Sequence, residues 1–150
     1  MEGRGNPVGY HYLDDFATAD IAFEATGESL EQVFVAAADA TMNVMVEELR
    51  SIEARVEKRI ELKNDDLDML LFDLLQELLY YKDAEQLLLR VKEIEITERD
   101  GAYLLHARAS GEKLDPERHE QRVDVKAVTL HQFRLQKTDG GWIALVILDI

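Results

Sequence analysis

The chain has no cysteine, two prolines and one tryptophan, and its basic residues are few relative to its acidic ones. The lack of cysteine excludes a disulfide, a thiolate metal site and a cysteine nucleophile. No N-terminal run resembles a signal peptide, and no stretch approaches the ~20 apolar residues that a membrane span needs. The expected location is therefore the cytoplasm, with no membrane association.

The shortage of basic residues also narrows the kinds of partner. There are 17 Lys and Arg against 31 Asp and Glu, which gives a net charge of −14. Because phosphate backbones are bound by clustered Lys and Arg, stable direct binding of nucleic acid is not expected. Cations and basic protein surfaces are the partners that this charge favours, although the same charge also keeps a protein in solution.

Familiar catalytic motifs are absent as well. The sequence has no GxGxxG or Walker A motif for a nucleotide phosphate, no HExxH and no Gly-x-Ser-x-Gly nucleophile. The charged segment 111–120 has no metal-ligand spacing and is typical of a loop that is either functional or mobile. An enzyme is not excluded, since carboxylates with a bound cation can hydrolyse phosphates.

The helical signals of the chain fall in its first half. Capping-box spacing at Ser29 predicts a helix over residues 29–46. The acidic segment 64–66 is an N-terminal signal for a second helix, whose leucines continue to Leu79. This second apolar stripe is broad, which predicts burial on more than one side. A coiled-coil seam is the weaker alternative, because the heptads are not sustained.

The strand signals surround these helices. Alternation and turn residues predict strands at 10–13, 21–26, 53–62, 87–97, 102–110, 123–137 and 141–150, the sixth long enough to hold a bulge. The last strand is apolar on both alternating sets and is therefore expected to be covered on both faces. The expected fold is α+β, a single domain at 10–150 with mainly antiparallel β-sheets packed on a buried amphipathic helix, plus a second helix. Residues 1–9 are expected to form a flexible tail.

The end of the last strand is the first candidate site. It places the Asp149 carboxylate close to the α-carboxylate of Ile150, and two such groups repel unless a cation lies between them. Calcium and magnesium bind oxygen ligands of this kind. From this ending alone, two acids that point into water are the simpler interpretation.

Other candidate groups lie at strand ends. Asp20 lies between a turn of small residues and an apolar strand, with Asp15 nearby, although a structural use of this turn is the simpler reading. Lys126 lies among apolar strand residues, and a buried ammonium would need a carboxylate such as Asp20 or Asp149. The alternative is an edge strand with Lys126 in water. His131 is either a metal ligand or an ordinary hydrogen-bonded histidine.

Five segments, in order and with family-like spacing, resemble the archease family from Tyr10 to Ile150. They are Thr18-Ala19-Asp20-Ile21, the leucine-rich 70–79, Gly111-Glu112 with His119-Glu120, Val125 to His131, and Leu148-Asp149-Ile150. The family commonly has His where this chain has Ala17. That departure weakens any role for an imidazole beside Asp20.

The resemblance implies a function that the composition does not reveal. Archeases are non-catalytic accessory proteins of the RtcB-type RNA ligase, which acts in tRNA splicing and RNA repair. They promote guanylylation of that ligase and let it turn over repeatedly. By position, the metal site of the family falls on Asp20, Asp149 and the Ile150 carboxylate, with a divalent cation, foremost calcium and otherwise magnesium or manganese. Lys126 matches a lysine that the family needs for activation.

Two alternatives from other classes stay open at this point. One is a stand-alone metal-dependent hydrolase that uses Asp20, Asp149 and His131, which predicts turnover without a partner. The other is a general chaperone or acidic scaffold, suggested by the broad apolar helix. That reading predicts no dependence on the C-terminal carboxylate.

Overall fold

A computed structural model of the chain describes residues 9–13 and 19–150. Its elements in chain order are β1 (Gly9–Leu13), β2 (Asp20–Gly27), α1 (Leu30–Met45), a 3-10 turn (Leu49–Ser51), β3 (Val56–Asn64), α2 (Leu67–Glu85), β4 (Leu87–Arg99), β5 (Ala102–Lys113), β6 (Ala127–Thr138) and β7 (Gly141–Asp149). Every predicted strand and helix has a counterpart in this order.

The strands form two antiparallel sheets with the helices between them. One sheet has the order β1-β2-β7-β6 and the other the order β3-β5-β4. Helix α1 contacts β2 and β7 of the first sheet and β4 of the second, while α2 contacts β6 of the first and β3 and β4 of the second. The expected α+β fold is confirmed, and its helices share one layer that both sheets cover.

This layered arrangement explains the breadth of the leucine stripe on α2. The helix begins after Asp66, whose side chain accepts a hydrogen bond from the Asp68 amide, and it has six fully or almost fully buried leucines. An amphipathic helix against one sheet needs a single apolar face, whereas a helix between two sheets needs apolar side chains over most of its circumference. The predicted position of this helix at the centre of the core is confirmed.

Strand β7 is buried on both faces, as its sequence predicts. Ala144, Val146 and Leu148 belong to the main core cluster that contains both helices. The alternating residues Leu145 and Ile147 point to the other face, yet only 7% and 1% of their surfaces are exposed. The strand therefore has apolar neighbours on either side and holds its C-terminal end in a fixed place.

Two predicted strands begin later than expected, at Val56 and Ala127. The predicted strand 123–137 begins at Ala127, because the amides of Arg122 and Val123 bond instead to the carbonyls of Met45 and Val44 at the end of α1. The predicted strand 53–62 becomes Val56–Asn64. Backbone groups that bond to a helix end or a side chain are not available to a sheet.

The predicted bulge is present in β6, which is an edge strand. Its pairing with β7 jumps from Thr129 opposite Ile147 to Arg134 opposite Leu145. Within the bulge Gln132 has a φ of 55°, a left-handed conformation that residues other than glycine seldom adopt. A bulge of this kind turns the exposed strand edge away from pairing with other chains.

The remaining expectations concern residues outside the described part. Of the predicted tail 1–9, residues 1–8 lie outside the described part, as do Asp15 and Ala17, whereas Gly9 is the first residue of β1. Within the described ranges, no helix has the length and apolar character that crossing a membrane requires.

Candidate functional site

Asp20 and Asp149 lie directly opposite each other at one end of the four-stranded sheet. They are register partners of the antiparallel strands β2 and β7. Directly opposed residues in such a pair have Cβ atoms about 5 Å apart and side chains on the same face. The next pair in the register, Ile21 and Leu148, packs into the core. The two acids therefore point away from the helix layer.

The main chain around the two acids is held by hydrogen bonds. The Ile150 amide donates to the carbonyl of Ala19 at 2.9 Å, and the Lys126 amide donates to the carbonyl of Asp149 at 2.7 Å. The Ile150 side chain packs against the core cluster. Chain segments from three parts of the sequence thus meet at the end of β7.

The donor set at this sheet end fits a hard cation. Two opposed carboxylates repel each other, and in the described part of the chain neither forms an ion pair with Lys, Arg or His. Ala127, the register partner of Asp149 in β6, contributes only a methyl group. Calcium, magnesium and manganese take such oxygen ligands.

The set is nevertheless incomplete in side chains. Among the described residues, no three His, Cys, Asp or Glu side chains are grouped closely enough to hold a metal ion. A cation bound here would have two carboxylate ligands, and any further oxygen ligands would have to come from the main chain or from water.

Lys126 reaches this sheet end by its main chain, but it is not a buried lysine. Its side chain is exposed, and the residue immediately precedes the edge strand β6. The alternative of a lysine in water at an edge strand is the one found, so the burial argument for a partner acid does not apply. Its position next to Asp149 is set by the backbone hydrogen bond.

His131 is not part of the acidic pair. It lies in the bulge of β6, where Nε2 of its exposed ring is 3.5 Å from Nε2 of the Gln132 side chain. The bulge lies between Thr129 and Arg134, which oppose Ile147 and Leu145 rather than Asp149. Its predicted use as a metal ligand in this site therefore has no geometric support.

A buried charge cluster around Glu112 was not predicted. The Glu112 side chain is 4% exposed and lies at the end of β5. One carboxylate oxygen accepts a hydrogen bond from Arg118 and forms an ion pair with Arg55, whose Nε lies 3.2 Å away. The other accepts from the Glu53 amide and from His119 Nε2, both at 2.8 Å. Both carboxylate oxygens therefore have hydrogen-bond donors.

The cluster keeps Glu112 ionised. The hydrogen bond from Arg118 is the main cause that lowers the pKa of Glu112 from 4.5 to about 2; burial opposes this, and the bonds from Glu53 and His119 assist it. His119 is itself buried, and its Nδ1 accepts from the Asp115 amide at 2.8 Å. Its ring proton is therefore on Nε2 and points to Glu112.

The sequence carried a weak signal of this cluster. Gly111-Glu112 and His119-Glu120 are among the segments that resemble the archease family, but their charge suggested only a loop. Residues 111–113 belong to β5, and the following segment folds back onto the end of α1. A glutamate and a histidine seven positions apart meet only because of this return, which local patterns do not encode.

The fold and the paired acids define a class of protein: an α+β domain with two helices between antiparallel sheets and a candidate cation site where the last strand ends. The model of the Archease protein family (MTH1598/TM1083) matches residues 10–150. The chain is 42% identical over 134 residues to the protein archease of Pyrococcus furiosus, which covers 89% of this chain and 94% of that protein. It is 42% identical over 142 residues to the protein archease of Methanosarcina mazei, with 94% and 95% covered. The chain belongs to the archease family.

Solved structures agree with this assignment. The solution structure of Methanobacterium thermoautotrophicum protein 1598 superposes with a TM-score of 0.82 at 40% identity, over 95% of this chain and 99% of that one. An archease from Thermotoga maritima, described as a possible chaperone, gives a TM-score of 0.63 at 17% identity, over 93% and 99%. The second likeness concerns the fold alone.

Proposed function

We propose that this protein is a non-catalytic activator of an RtcB-type RNA ligase, which promotes guanylylation and repeated turnover of that ligase in tRNA splicing or RNA repair. Membership of the archease family supports the partner. The observation that carries the proposal is the register pairing of Asp20 with Asp149, which places two carboxylates on one face at a fixed sheet end.

In this proposal Asp20, Asp149 and the α-carboxylate of Ile150 hold one divalent cation, foremost calcium. The cation supplies positive charge that removes the repulsion between the opposed carboxylates. The strand pairing of β2 with β7 fixes the backbone of both acids before the ion binds, so little backbone ordering is needed at that moment. Lys126, held by its amide at the carbonyl of Asp149, presents its exposed ammonium to the ligase.

The overall charge indicates which kind of ligase surface this protein docks on. A ligase that binds RNA has to carry a basic cleft, and a chain of net charge −14 is attracted to such a surface. We infer that the acidic sheet end docks at the emptied cleft after product release. There it presents or repositions the divalent ion and lowers the free-energy cost of reforming the guanylylated ligase.

The hydrolase alternative lacks its third residue, because His131 lies in the bulge away from the two acids. The words "possible chaperone" describe the Thermotoga protein, and no described surface of this chain favours that role specifically. Neither alternative is therefore adopted. The test below distinguishes both from the proposed function, since a hydrolase acts without a ligase and a chaperone does not need Asp20.

The test combines calcium titration with ligase activation for the parent, Asp20→Ala and a variant with one glycine added after Ile150. Asp65→Ala is the control, since Asp65 is an exposed acid in the turn before α2. We expect both site variants to bind calcium at least about tenfold more weakly, a loss of about 1.4 kcal/mol, and to lose activation. Asp20→Ala with intact calcium affinity and intact activation would overturn the mechanism.

A further inference from the structure

We propose that Lys82 is a positioning residue for the activator site: it holds the peptide unit that precedes Lys126 and thereby sets where Lys126 lies. The functional half of this statement rests on the proposed ligase activation. The structural half stands on its own contacts. Lys82 belongs to the last turn of α2, far from Asp20 and Asp149 in sequence.

The Lys82 ammonium is largely enclosed and bonds across to the segment before β6. Its side chain is 12% exposed, and its Nζ lies 2.7 Å from Asp124 Oδ1 and 2.5 Å from Asp83 Oδ1. The same Nζ donates to the main-chain carbonyl of Val125 at 3.0 Å. Because this last bond goes to a main-chain oxygen, it restrains the backbone at Val125 as well as the side chains of the two aspartates.

The peptide group between Val125 and Lys126 is bonded at both of its polar atoms. Its oxygen accepts from Lys82 at 3.0 Å, and its N–H donates to the carbonyl of Asp149 at 2.7 Å. Because a peptide unit is planar, two bonds on opposite edges fix its orientation and so the direction in which Lys126 leaves the chain. One bond comes from α2 and the other from the candidate metal site itself.

Lys82 is not needed to end its own helix. The C-cap of α2 is made by Gln86, which is left-handed with φ 54° and whose amide donates to the Tyr81 carbonyl. Burial lowers the pKa of Lys82, but hydrogen bonds from its ammonium to Asp124 and Asp83 more than offset this, so the pKa is raised. The residue is thus held charged for a contact outside its helix.

The rest of the segment before β6 is held by hydrogen bonds that do not involve Lys82, so loss of Lys82 has a local effect. Arg122 and Val123 bond to the carbonyls of Met45 and Val44. Upstream, the buried Glu112 cluster holds the chain near Arg118. Removal of the Lys82 ammonium therefore frees the Val125–Lys126 peptide on one side and leaves the neighbouring hydrogen bonds in place.

The decisive experiment measures amide hydrogen exchange in Lys82→Met, which keeps the apolar stem but removes the charge. We expect the Lys126 amide to exchange at least tenfold faster than in the parent, while amides in the centre of β7 change by less than twofold. Lys58→Met is the matched control, because Lys58 also pairs with α2, at Glu85, but does not touch this segment. Unchanged exchange at Lys126, or equal acceleration throughout β7, would overturn the proposal.

A second measurement needs no variant and covers the case in which Lys82→Met does not fold. In the parent, the ammonium protons of Lys82 should exchange with water more slowly than those of Lys126, whose side chain is exposed. Equal exchange of the two ammonium groups would contradict a fixed bond to Val125.

The functional arm uses the ligase. We expect Lys82→Met to keep calcium affinity within twofold of the parent, because Asp20 and Asp149 are held by strand pairing, and to lose at least fivefold in activation. Full activation by Lys82→Met with faster Lys126 exchange would overturn the functional half. If the parent itself does not activate, the proposed function fails, whereas the exchange data still decide whether Lys82 positions Lys126.

Discussion

At the scale of single residues, the acidic side chains of this protein differ in whether their charge has a partner within the described part of the chain. Glu112 is enclosed, accepts hydrogen bonds from Arg118, His119 and a backbone amide, and forms an ion pair with Arg55. Asp20 and Asp149 instead face each other across a strand pair. The first arrangement satisfies its charge within the chain and stabilises the fold. The second leaves two charges that an external cation can satisfy.

The Glu112 cluster predicts how stability depends on pH. Its folded-state pKa of about 2 is below its ordinary value of 4.5, so the unfolded state binds a proton first as the pH falls. The contribution of Glu112 is therefore complete above pH ~5 and declines as the pH falls toward ~2. We expect the free energy of unfolding, measured in urea, to decrease over this window.

The matched variant is Glu112→Gln, which keeps the shape of the side chain. It should lower the free energy of unfolding at pH 7 by about 2 kcal/mol, because buried donors lose a charged acceptor. It should also flatten the pH dependence below pH ~5. A variant as stable as the parent, with an unchanged acid limb, would show that Glu112 is not the group responsible.

At the scale of elements, the sequence predicts the positions of the strands better than it predicts the residues at which they begin and end. The two-residue turns at Asp100-Gly101 and Asp139-Gly140 join strands whose predicted ranges flank them and which pair in the structure. The start of β6 was misplaced by four residues, because hydrogen bonds to the end of α1 take the backbone of 122–123. Hydrophobic alternation reports which face is buried, but it contains no information about a distant helix end.

The residues of the candidate site were likewise predicted only in part. Asp20 and Asp149 come from strand ends that the sequence places correctly, and the resemblance to the archease family supplied the pairing. His131 is four residues beyond Ala127, which is the residue opposite Asp149, so the strand register does not bring it to the two acids. The contacts of Lys82 with Asp124 and Val125, and those within the Glu112 cluster, were not predicted, because these partners lie more than five residues apart in sequence.

Gly111 offers a test of the β4–β5 pairing. A Cβ at this position would lie 1.7 Å from the Leu88 carbonyl oxygen, a backbone atom that cannot move aside alone. We expect Gly111→Ala to lower the free energy of unfolding by about 3 kcal/mol through overpacking and to disturb the adjacent Glu112 cluster. Thermal unfolding would detect this as a lower Tm.

Gly140→Ala is the control for that substitution, since no heavy atom lies within 4 Å of a Cβ at this turn position. It should change the Tm by no more than a degree or two. Equal effects of the two substitutions would mean that the close approach of β4 and β5 is not the cause.

At the scale of the whole molecule, the net charge of −14 is the property that governs association. If docking joins an acidic sheet end to a basic cleft, screening should weaken it. We expect the concentration of this protein that gives half-maximal ligase activation to rise about tenfold or more between 50 and 500 mM NaCl. Basal ligase activity at each salt concentration serves as the reference. A half-maximal concentration that does not change with salt would contradict electrostatic docking.

The central claim is that the paired carboxylates at the end of β7 are the working part of this protein. It is tested most directly by guanylylation and multiple-turnover ligation with an RtcB-type ligase from the same source, with the parent, Asp149→Ala or no addition. Asp139→Ala, an acid in the exposed β6–β7 turn, controls for the loss of one charge. We expect the parent and Asp139→Ala to accelerate both reactions and Asp149→Ala to accelerate neither. Equal acceleration by all three proteins would contradict the site, and no acceleration by any of them would contradict the proposed function.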